Sequence, residues 1–210
     1  MTKKERAAAA VELLKAEYPD AICSLDYSDP FQLLCATRLS AQCTDARVNM
    51  VTPALFDEFP TAKAMAEAPL ERVEELIASC GLYKTKAKDL IGIGKGITER
   101  FDGKVPDTIE ALTSLPGVGR KTANLVVGDV YGKPAVVTDT HFIRIVNRIG
   151  LTDKTEPFKV ERELRALLDP SESNNFCHRT VLHGRAVCTA RRAFCEKCVL
   201  SDICKKVKVK

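Results

Sequence analysis

Residues 115–124 read LPGVGRKTAN and lie inside a longer segment, residues 107–132, in which two helical patterns flank a turn. Pro116 and the two glycines, Gly117 and Gly119, predict a tight hairpin whose backbone can approach another surface closely. The amide groups of the glycines then stand at the positive end of the following helix, where an anion such as phosphate binds. The pattern predicts a helix–hairpin–helix that holds the DNA backbone without reading base sequence.

A corner that only turns the chain between two helices is the alternative explanation of a proline-glycine turn. Two glycines around an apolar residue, followed by the basic Arg120 at the helix start, favour DNA binding over that alternative. Many DNA-binding proteins share such hairpins, so the pattern indicates a partner and not a reaction.

Helical periodicity dominates the rest of the chain, with apolar residues recurring at three- and four-residue spacing. Segments with this pattern include Ala7–Tyr18, Pro30–Gln42, Glu71–Cys80, Lys84–Phe101, Lys121–Tyr131 and His141–Ile149. Asp29 before Pro30 predicts a helix start, and Asp107 with Glu110 predicts a capping box. Alternating strand patterns are nearly absent, so we expect an all-α fold.

The composition is typical of a soluble globular protein, since 45% of the 210 residues are hydrophobic and 29% are charged. The apolar runs are too short for a membrane helix, which needs about 20 residues. The N-terminal segment has the pattern of an amphipathic helix and not of a secretory signal, and we expect a cytoplasmic location.

The net charge of +4 is unevenly distributed. Residues 179–210 contain nine Lys or Arg and two acidic residues, a net charge of +7, so the remaining chain carries −3. A basic end on a mildly acidic body suits contact with phosphates. A solvated tail explains the same charge equally well.

Lys121 stands two residues beyond Gly119, in the first turn of the helix that is expected to hold a phosphate. The positive end of that helix favours the neutral amine, which is the form that makes a Schiff base with a sugar C1′. Asp139 follows eighteen residues later. A carboxylate near the amine can accept its proton or stabilise positive charge on the sugar. A phosphate-binding or solvated lysine and an N-cap aspartate are the alternatives, which spacing alone leaves open.

The chain contains nine cysteines, an odd number, and a disulfide framework is not expected. Five stand among apolar residues, and most of these are interpreted as buried thiols: Cys23, Cys35, Cys43, Cys80 and Cys177. The other four have the spacing C-x6-C-x2-C-x5-C, which predicts a metal site: Cys188, Cys195, Cys198 and Cys204. Tetrahedral zinc and an iron–sulfur cluster both accept four thiolates, and the spacing only slightly favours iron–sulfur.

Four motifs together resemble the endonuclease III family of DNA glycosylases. They are LPGVGRKTAN at 115–124, VTDTHFIR at 137–144, LSAQCTD at 39–45 and GLYKTKA at 81–87. The resemblance extends from about Phe31 to Cys204. It implies that Lys121 is the Schiff-base lysine and that Asp139 is the essential carboxylate.

The resemblance also implies roles in opening the duplex, because a base must be extruded before its C1′ can be attacked. Gln42 and Leu82 match residues that wedge into the gap left by the damaged nucleotide. His141 matches a residue close to the extruded nucleotide. Without the resemblance, Gln42 is an exposed amide at a helix end and Leu82 an ordinary core leucine.

By the same resemblance, the fold consists of two helical lobes with DNA in the groove between them. One lobe is residues 24–133 and contains the helix–hairpin–helix at 107–132. The other joins residues 1–23 to 134–210 and contains a cluster loop at 188–204.

The four spaced cysteines are expected, by resemblance, to hold a [4Fe–4S] cluster. Removing a base needs no electron transfer, so the cluster is expected to fold a loop that presents Arg191 and Arg192 to the DNA backbone. His183 is near these thiols in sequence and is interpreted as structural.

The resemblance implies a bifunctional DNA glycosylase and AP lyase of base excision repair. We expect a monomer that acts on double-stranded DNA with an oxidised pyrimidine or an abasic site and cuts the strand by β-elimination. An adenine–mismatch glycosylase generally lacks the lysine, so Lys121 argues against it. A non-catalytic DNA-binding scaffold would not need both Lys121 and Asp139. A zinc-stabilised nucleic-acid module would be colourless, which visible absorption tests.

Overall fold

The computed structural model describes residues 1–209, and Lys210, the last residue of the basic segment, lies outside them. The helices of the described residues are α1 (Lys3–Glu17), α2 (Pro30–Leu39), α3 (Asp45–Glu58), α4 (Ala62–Ala66), α5 (Leu70–Leu76), α6 (Tyr83–Arg100), α7 (Ile109–Thr113), α8 (Arg120–Asp129), α9 (Thr140–Ile149), α10 (Pro157–Leu167), α11 (Ser173–Ala186) and a 3-10 helix (Cys195–Lys197). Residues 1–209 contain no strand, only an isolated antiparallel bridge between Cys188 and Ala193. The expected all-α fold is confirmed. No helix among these residues is both long and apolar enough to cross a membrane.

The chain divides into two compact units. The central unit is Ser24–Tyr131, and the terminal unit joins Met1–Cys23 to the chain from Gly132 onward. The central unit therefore contains α2 to α8, and the terminal unit contains α1, α9, α10 and α11.

The long helix α6 anchors the central unit. Its side chains Leu90, Ile93 and Ile97 are fully buried. A Cβ on Gly94 would lie 2.6 Å from the carbonyl oxygen of Ala62, so only glycine lets α4 pack this closely on α6. Backbone contact at this distance fixes the position of α6 within its unit.

The terminal unit packs α9 against α11. Phe142 of α9 and Phe176 of α11 meet edge to face, with ring centroids 6.0 Å apart, and both are fully buried. Helix α1 starts with a capping box between Thr2 and Glu5, in which each side chain accepts from the other residue's backbone N–H.

Several helix limits differ from those expected. The start of α2 at Asp29 and Pro30 is confirmed, but α2 ends at Leu39 because the chain then turns towards Gln42. The capping box expected at Asp107 is wrong, because Thr108 is the N-cap of α7 and accepts a hydrogen bond from Ala111 N.

Four helices were not expected: α3, α4, α10 and α11. Helix α3 contains Pro53 in its interior, where proline removes a backbone donor and normally ends a helix. Helix α4 has only 5 residues, too few to display a period.

Candidate nucleic-acid interface

The hairpin between α7 and α8 presents an open helix end. Gly117 has φ +67°, a left-handed conformation that favours glycine, and Gly119 is the N-cap of α8. Gly119 has no side chain with which to cap α8, and a Cβ on Gly119 would have no atom within 4 Å. The first amide groups of α8 can therefore donate to an external anion.

A largely buried ion pair lies against the hairpin backbone at Gly117. Arg38 NH2 lies 2.6 Å from Asp89 Oδ2, and Arg38 Nε donates to the same oxygen over 2.8 Å. A Cβ on Gly117 would lie 2.6 Å from both Arg38 Nε and Asp89 Oδ2. The ion pair thus holds α2 to α6 and contacts the hairpin backbone where a larger residue would not fit.

Two glycines of α6 hold the other side of the hairpin. A Cβ on Gly92 would lie 2.9 Å from Pro116 Cγ, and one on Gly96 would lie 2.6 Å from Leu115 Cδ2. The spacing of four residues places both glycines on one face of α6. The hairpin packs against this face of α6.

The central unit also brings together the loops of Gln42 and Leu82. Both residues have left-handed backbones, with φ +54° and +60°, which strains a residue other than glycine. A Cβ on Gly81 would lie 3.4 Å from Gln42 O, so the two loops touch through their backbones. Gln42 is exposed, and Leu82 is 58% exposed, which shows that Leu82 is not a core leucine.

A buried lysine joins the same two loops. Lys86 is fully buried in α6, and its Nζ donates 2.8 Å to the carbonyl oxygen of Leu39 at the end of α2. Burial lowers the pKa of Lys86. The amine therefore satisfies a helix-end carbonyl just before the chain turns at Gln42.

The two candidate catalytic side chains lie in different units. Lys121 is in the first turn of α8 in the central unit and is exposed. Asp139 is in the terminal unit, where it is the N-cap of α9 and its Oδ1 accepts from Phe142 N over 2.6 Å. Asp139 thus has the N-cap role that the sequence offered as the alternative to a catalytic role. The cap uses one carboxylate oxygen, which leaves the second available for other chemistry.

Helix α9 connects the neighbourhood of Asp139 to the cysteine segment. His141 Nδ1 lies 3.1 Å from Arg144 NH2. Arg144 donates from Nε to Cys188 O over 3.1 Å and from NH2 to Gly184 O over 2.9 Å. The ring of His141 is therefore oriented by the same guanidinium that fixes the start of the cysteine segment.

The four spaced cysteines line one cavity, together with Arg148 and Phe194. Arg148 NH1 donates to Cys188 Sγ over 3.2 Å, and His183 Nε2 lies 3.2 Å from Cys198 Sγ. Burial, with a smaller contribution from the neighbouring thiol of Cys188, raises the pKa of Cys198 to about 11. In the part of the chain that the structure describes, no three His, Cys, Asp or Glu side chains meet at a point that would hold a single metal ion.

The loop that follows Cys188 exposes two arginines. Arg191 and Arg192 are both exposed, and Arg192 lies over the Phe194 ring with its Cζ 4.8 Å from the centroid. Thr189 Oγ1 donates to Arg192 O over 2.6 Å and accepts from Arg192 N over 3.1 Å, which closes a tight turn. The turn orders the backbone that carries both guanidinium groups.

The supporting residues were missed in the sequence, where Arg38, Asp89, Arg144 and Arg148 look like ordinary helix-surface charges. The one available signal was the triplet of alternate glycines in α6, Gly92, Gly94 and Gly96. Alternate glycines in a helix are destabilising unless other backbone packs against them.

Comparison with known proteins places these features in a family. Residues 35–170 match the model of the "HhH-GPD superfamily base excision DNA repair protein" family. An endonuclease III of Synechocystis sp. is 50% identical over 204 residues, covering 97% of this chain and 93% of that protein. Escherichia coli (strain K12) endonuclease III is 39% identical over 192 residues, covering 91% of this chain and 90% of that protein.

Solved structures agree over nearly the whole chain. A non-covalent endonuclease III–DNA complex superimposes with a TM-score of 0.91 at 38% identity, covering 99% of this chain and 98% of that one. The helix–hairpin–helix glycosylase fold expected from the motifs is confirmed by this likeness. From the family match and the relatives together, the chain belongs to the HhH-GPD superfamily of base excision DNA repair proteins and, within it, to the endonuclease III family.

Proposed function

We propose that this chain is a bifunctional DNA glycosylase and AP lyase of base excision repair, acting on double-stranded DNA that carries a damaged base or an abasic site. The observation that carries the proposal is the uncapped N-terminus of α8 with Lys121 in its first turn. One short element thereby offers both a phosphate site and an amine. A trapped covalent endonuclease III–DNA intermediate, similar to this chain with a TM-score of 0.92 at 38% identity, supports covalent chemistry in the family.

In the proposed first step, the Lys121 amine attacks C1′ of an extruded nucleotide. The C1′–N bond to the base breaks, and the departing base takes a proton from solvent. Asp139 accepts the proton that the amine loses and stabilises the positive charge that grows on the sugar. Asp139 then gives this proton to O4′, the C1′–O4′ bond breaks, and the opened sugar is left as an iminium ion that links Lys121 to C1′.

In the second step, the iminium ion acidifies the C2′ hydrogens. Loss of one C2′ proton forms the C2′–C3′ double bond, and the C3′–O bond breaks with the phosphate as leaving group. The strand is cut 3′ to the lesion, and water then releases Lys121 from the sugar. Oxidised pyrimidines are the proposed bases, by resemblance to the family.

The proposed DNA contacts follow from the exposed groups. The amides at Gly117, Gly119 and Arg120 would bind one backbone phosphate. Gln42 and Leu82, on their touching loops, would fill the gap in the duplex, and His141 would lie by the extruded nucleotide. Arg191 and Arg192 would contact phosphates.

We also propose that Cys188, Cys195, Cys198 and Cys204 hold a [4Fe–4S] cluster. The thiols are arranged around a cavity, as ligands of a cluster several atoms wide must be. The family usually carries such a cluster. Arg148 and His183, which contact two of the sulfurs, would stabilise thiolate charge from outside. The cluster would order the Arg191–Arg192 turn, and the reduced thiolates that it requires suit a cytoplasmic location.

Borohydride trapping tests the lysine chemistry. Duplex DNA with one oxidised pyrimidine is incubated with enzyme and borohydride, which reduces the iminium ion to a stable adduct. We expect an adduct for the wild type and for Lys95→Ala, an exposed lysine of α6, and none for Lys121→Ala. Undiminished trapping and nicking by Lys121→Ala would overturn the mechanism.

Iron and sulfide analysis of the purified protein tests the cofactor. We expect about four irons and four acid-labile sulfides per chain, with a brown colour. Stoichiometric zinc in a colourless protein would contradict the cluster and leave the lysine chemistry untouched.

A further inference from the structure

Two cysteines outside the cluster site lie side by side. Cys43 directly follows Gln42, and Cys80 comes two residues before Leu82, so the pair belongs to the two touching loops. The two side chains are close enough that Cys43, after burial, contributes to the raised pKa of Cys80. The sequence places them 37 residues apart, and only the packing of the loops makes them neighbours.

The backbone around the pair is held in place on both sides. Cys43 N donates to Ser40 O over 3.1 Å, and Cys80 N donates to Ile77 O over 2.8 Å, so each cysteine closes a turn. Between the turns, a Cβ on Gly81 would lie 3.4 Å from Gln42 O. The two cysteines therefore flank a direct backbone contact between the loops.

The two thiols differ in access and in environment. Cys43 is half-buried, whereas Cys80 has 0% exposure. Burial raises the pKa of Cys80 to about 11, so this thiol keeps its proton at neutral pH, although the positive charges of Lys86 and Arg47 oppose the shift. An oxidant from solvent therefore reaches Cys43 first, and Cys80 reacts with the product only as it loses its proton.

We propose that Cys43 and Cys80 form a redox site at which hydrogen peroxide produces a reversible disulfide across the two loops. In the first step, the Cys43 sulfur attacks one peroxide oxygen, the O–O bond breaks, and Cys43 sulfenic acid and water form. In the second step, the Cys80 sulfur attacks the Cys43 sulfur, its proton and the sulfenic hydroxyl leave as water, and the S–S bond closes. Two thiols are oxidised, one peroxide is reduced, and a dithiol reductant reverses the reaction.

The bond would restrict the loops that carry Gln42 and Leu82. Both residues already have left-handed backbones, so a cross-link between the two loops removes the freedom to relax this strain. The redox chemistry itself requires no DNA, and it stands whether or not the proposed glycosylase activity holds.

Peptide mapping of the peroxide-treated, cofactor-loaded protein tests the site. Thiols are blocked after the treatment, the protein is digested without reductant, and the peptides are weighed. We expect one cross-linked species that joins the Cys43 and Cys80 peptides, lighter than their sum by two hydrogens and lost on treatment with dithiothreitol. Cys43→Ala and Cys80→Ala should each abolish it, and Cys23→Ala, a half-buried cysteine, should retain it.

Hydrogen exchange gives a second readout, which compares oxidised with reduced wild type. Oxidised wild type should exchange the amides of residues 40–43 and 80–82 several-fold more slowly than reduced wild type, and oxidised Cys43→Ala should show no such change. The proposal is overturned if Cys43 is oxidised to sulfinic acid without cross-linking, if it pairs with a different cysteine, or if the exchange rates of the two loops are unchanged in the cross-linked protein.

Discussion

Arg38 of α2 and Asp89 of α6 form a largely buried ion pair, with side chains 13% and 18% exposed, directly against the backbone of Gly117 in the hairpin. The pair joins elements that are distant in sequence and supports the backbone that would hold a DNA phosphate. Neither residue belongs to the hairpin motif. The hairpin is therefore supported by charged residues outside the motif, in α2 and α6 of the central unit.

We expect Arg38→Met to lower the free energy of unfolding by about 3 kcal/mol, because it leaves the Asp89 carboxylate poorly solvated and unpaired. The double variant Arg38→Met/Asp89→Leu should recover most of this loss, since an apolar pair replaces both charges. Urea unfolding of the three proteins measures both effects. A single variant as stable as the wild type would show that the pair does not support the fold.

Gly119→Ser should separate DNA binding from helix stability. Serine is a good N-cap, so its hydroxyl should accept an amide of α8 and stabilise the helix by a few tenths of a kcal/mol. That amide is then less available to a phosphate, and affinity for duplex DNA should fall about ten-fold. Thermal unfolding and a binding titration at fixed salt measure the two quantities. Unchanged affinity would contradict the proposed phosphate site.

Asp139 has a cap role in the structure and a chemical role in the proposal, and two substitutions separate them. Asn caps as well as Asp does, so Asp139→Asn should keep the unfolding temperature while base release falls by at least about 100-fold. Asp139→Ala should lose activity and about 1 kcal/mol of stability as well. Single-turnover base release and calorimetry distinguish the outcomes. If Asp139→Asn keeps full activity, Asp139 is only a cap.

Leu82→Gly should make the protein more stable and less active. Glycine adopts φ +60° without the strain that leucine has there, which is worth about 1 kcal/mol, and little packing is lost because Leu82 is 58% exposed. Excision from duplex DNA should fall about ten-fold, because nothing then fills the gap beside the extruded nucleotide. Met50→Ala, at a side chain 69% exposed on α3, should change neither quantity. Normal excision by Leu82→Gly would exclude the wedge role.

The double variant Arg191→Ala/Arg192→Ala tests the phosphate contacts of the loop. Each lost phosphate contact reduces the slope of log K against log salt by about 0.9, so the double variant should flatten it by about two. Arg162→Ala, an exposed arginine of α10 in the same unit, is the matched control and should keep the wild-type slope. Equal slopes for all three proteins would remove this loop from the DNA interface.

The fold class and the hairpin were accessible from the sequence because they depend on neighbours along the chain. Proline and glycine restrict their own backbone angles, and apolar spacing reports a helix within a few turns. The same local rules failed at α3, where Pro53 is tolerated, and at Thr108, which caps α7 where Asp107 was expected to do so. Where two neighbouring residues can both serve as the N-cap, the packing around the helix decides which of them does.

Residue types and short spacings were enough to single out the turn at Gly117 and Gly119, the four spaced cysteines and the α9 cap at Asp139. Packing alone made Arg38 and Asp89 a support for the hairpin, brought Gln42 against Gly81, and placed the thiol of Cys43 against that of Cys80. The physical reason is range: backbone conformation is set by the few nearest residues, whereas a contact across tens of residues exists only once the helices between them have buried their apolar faces.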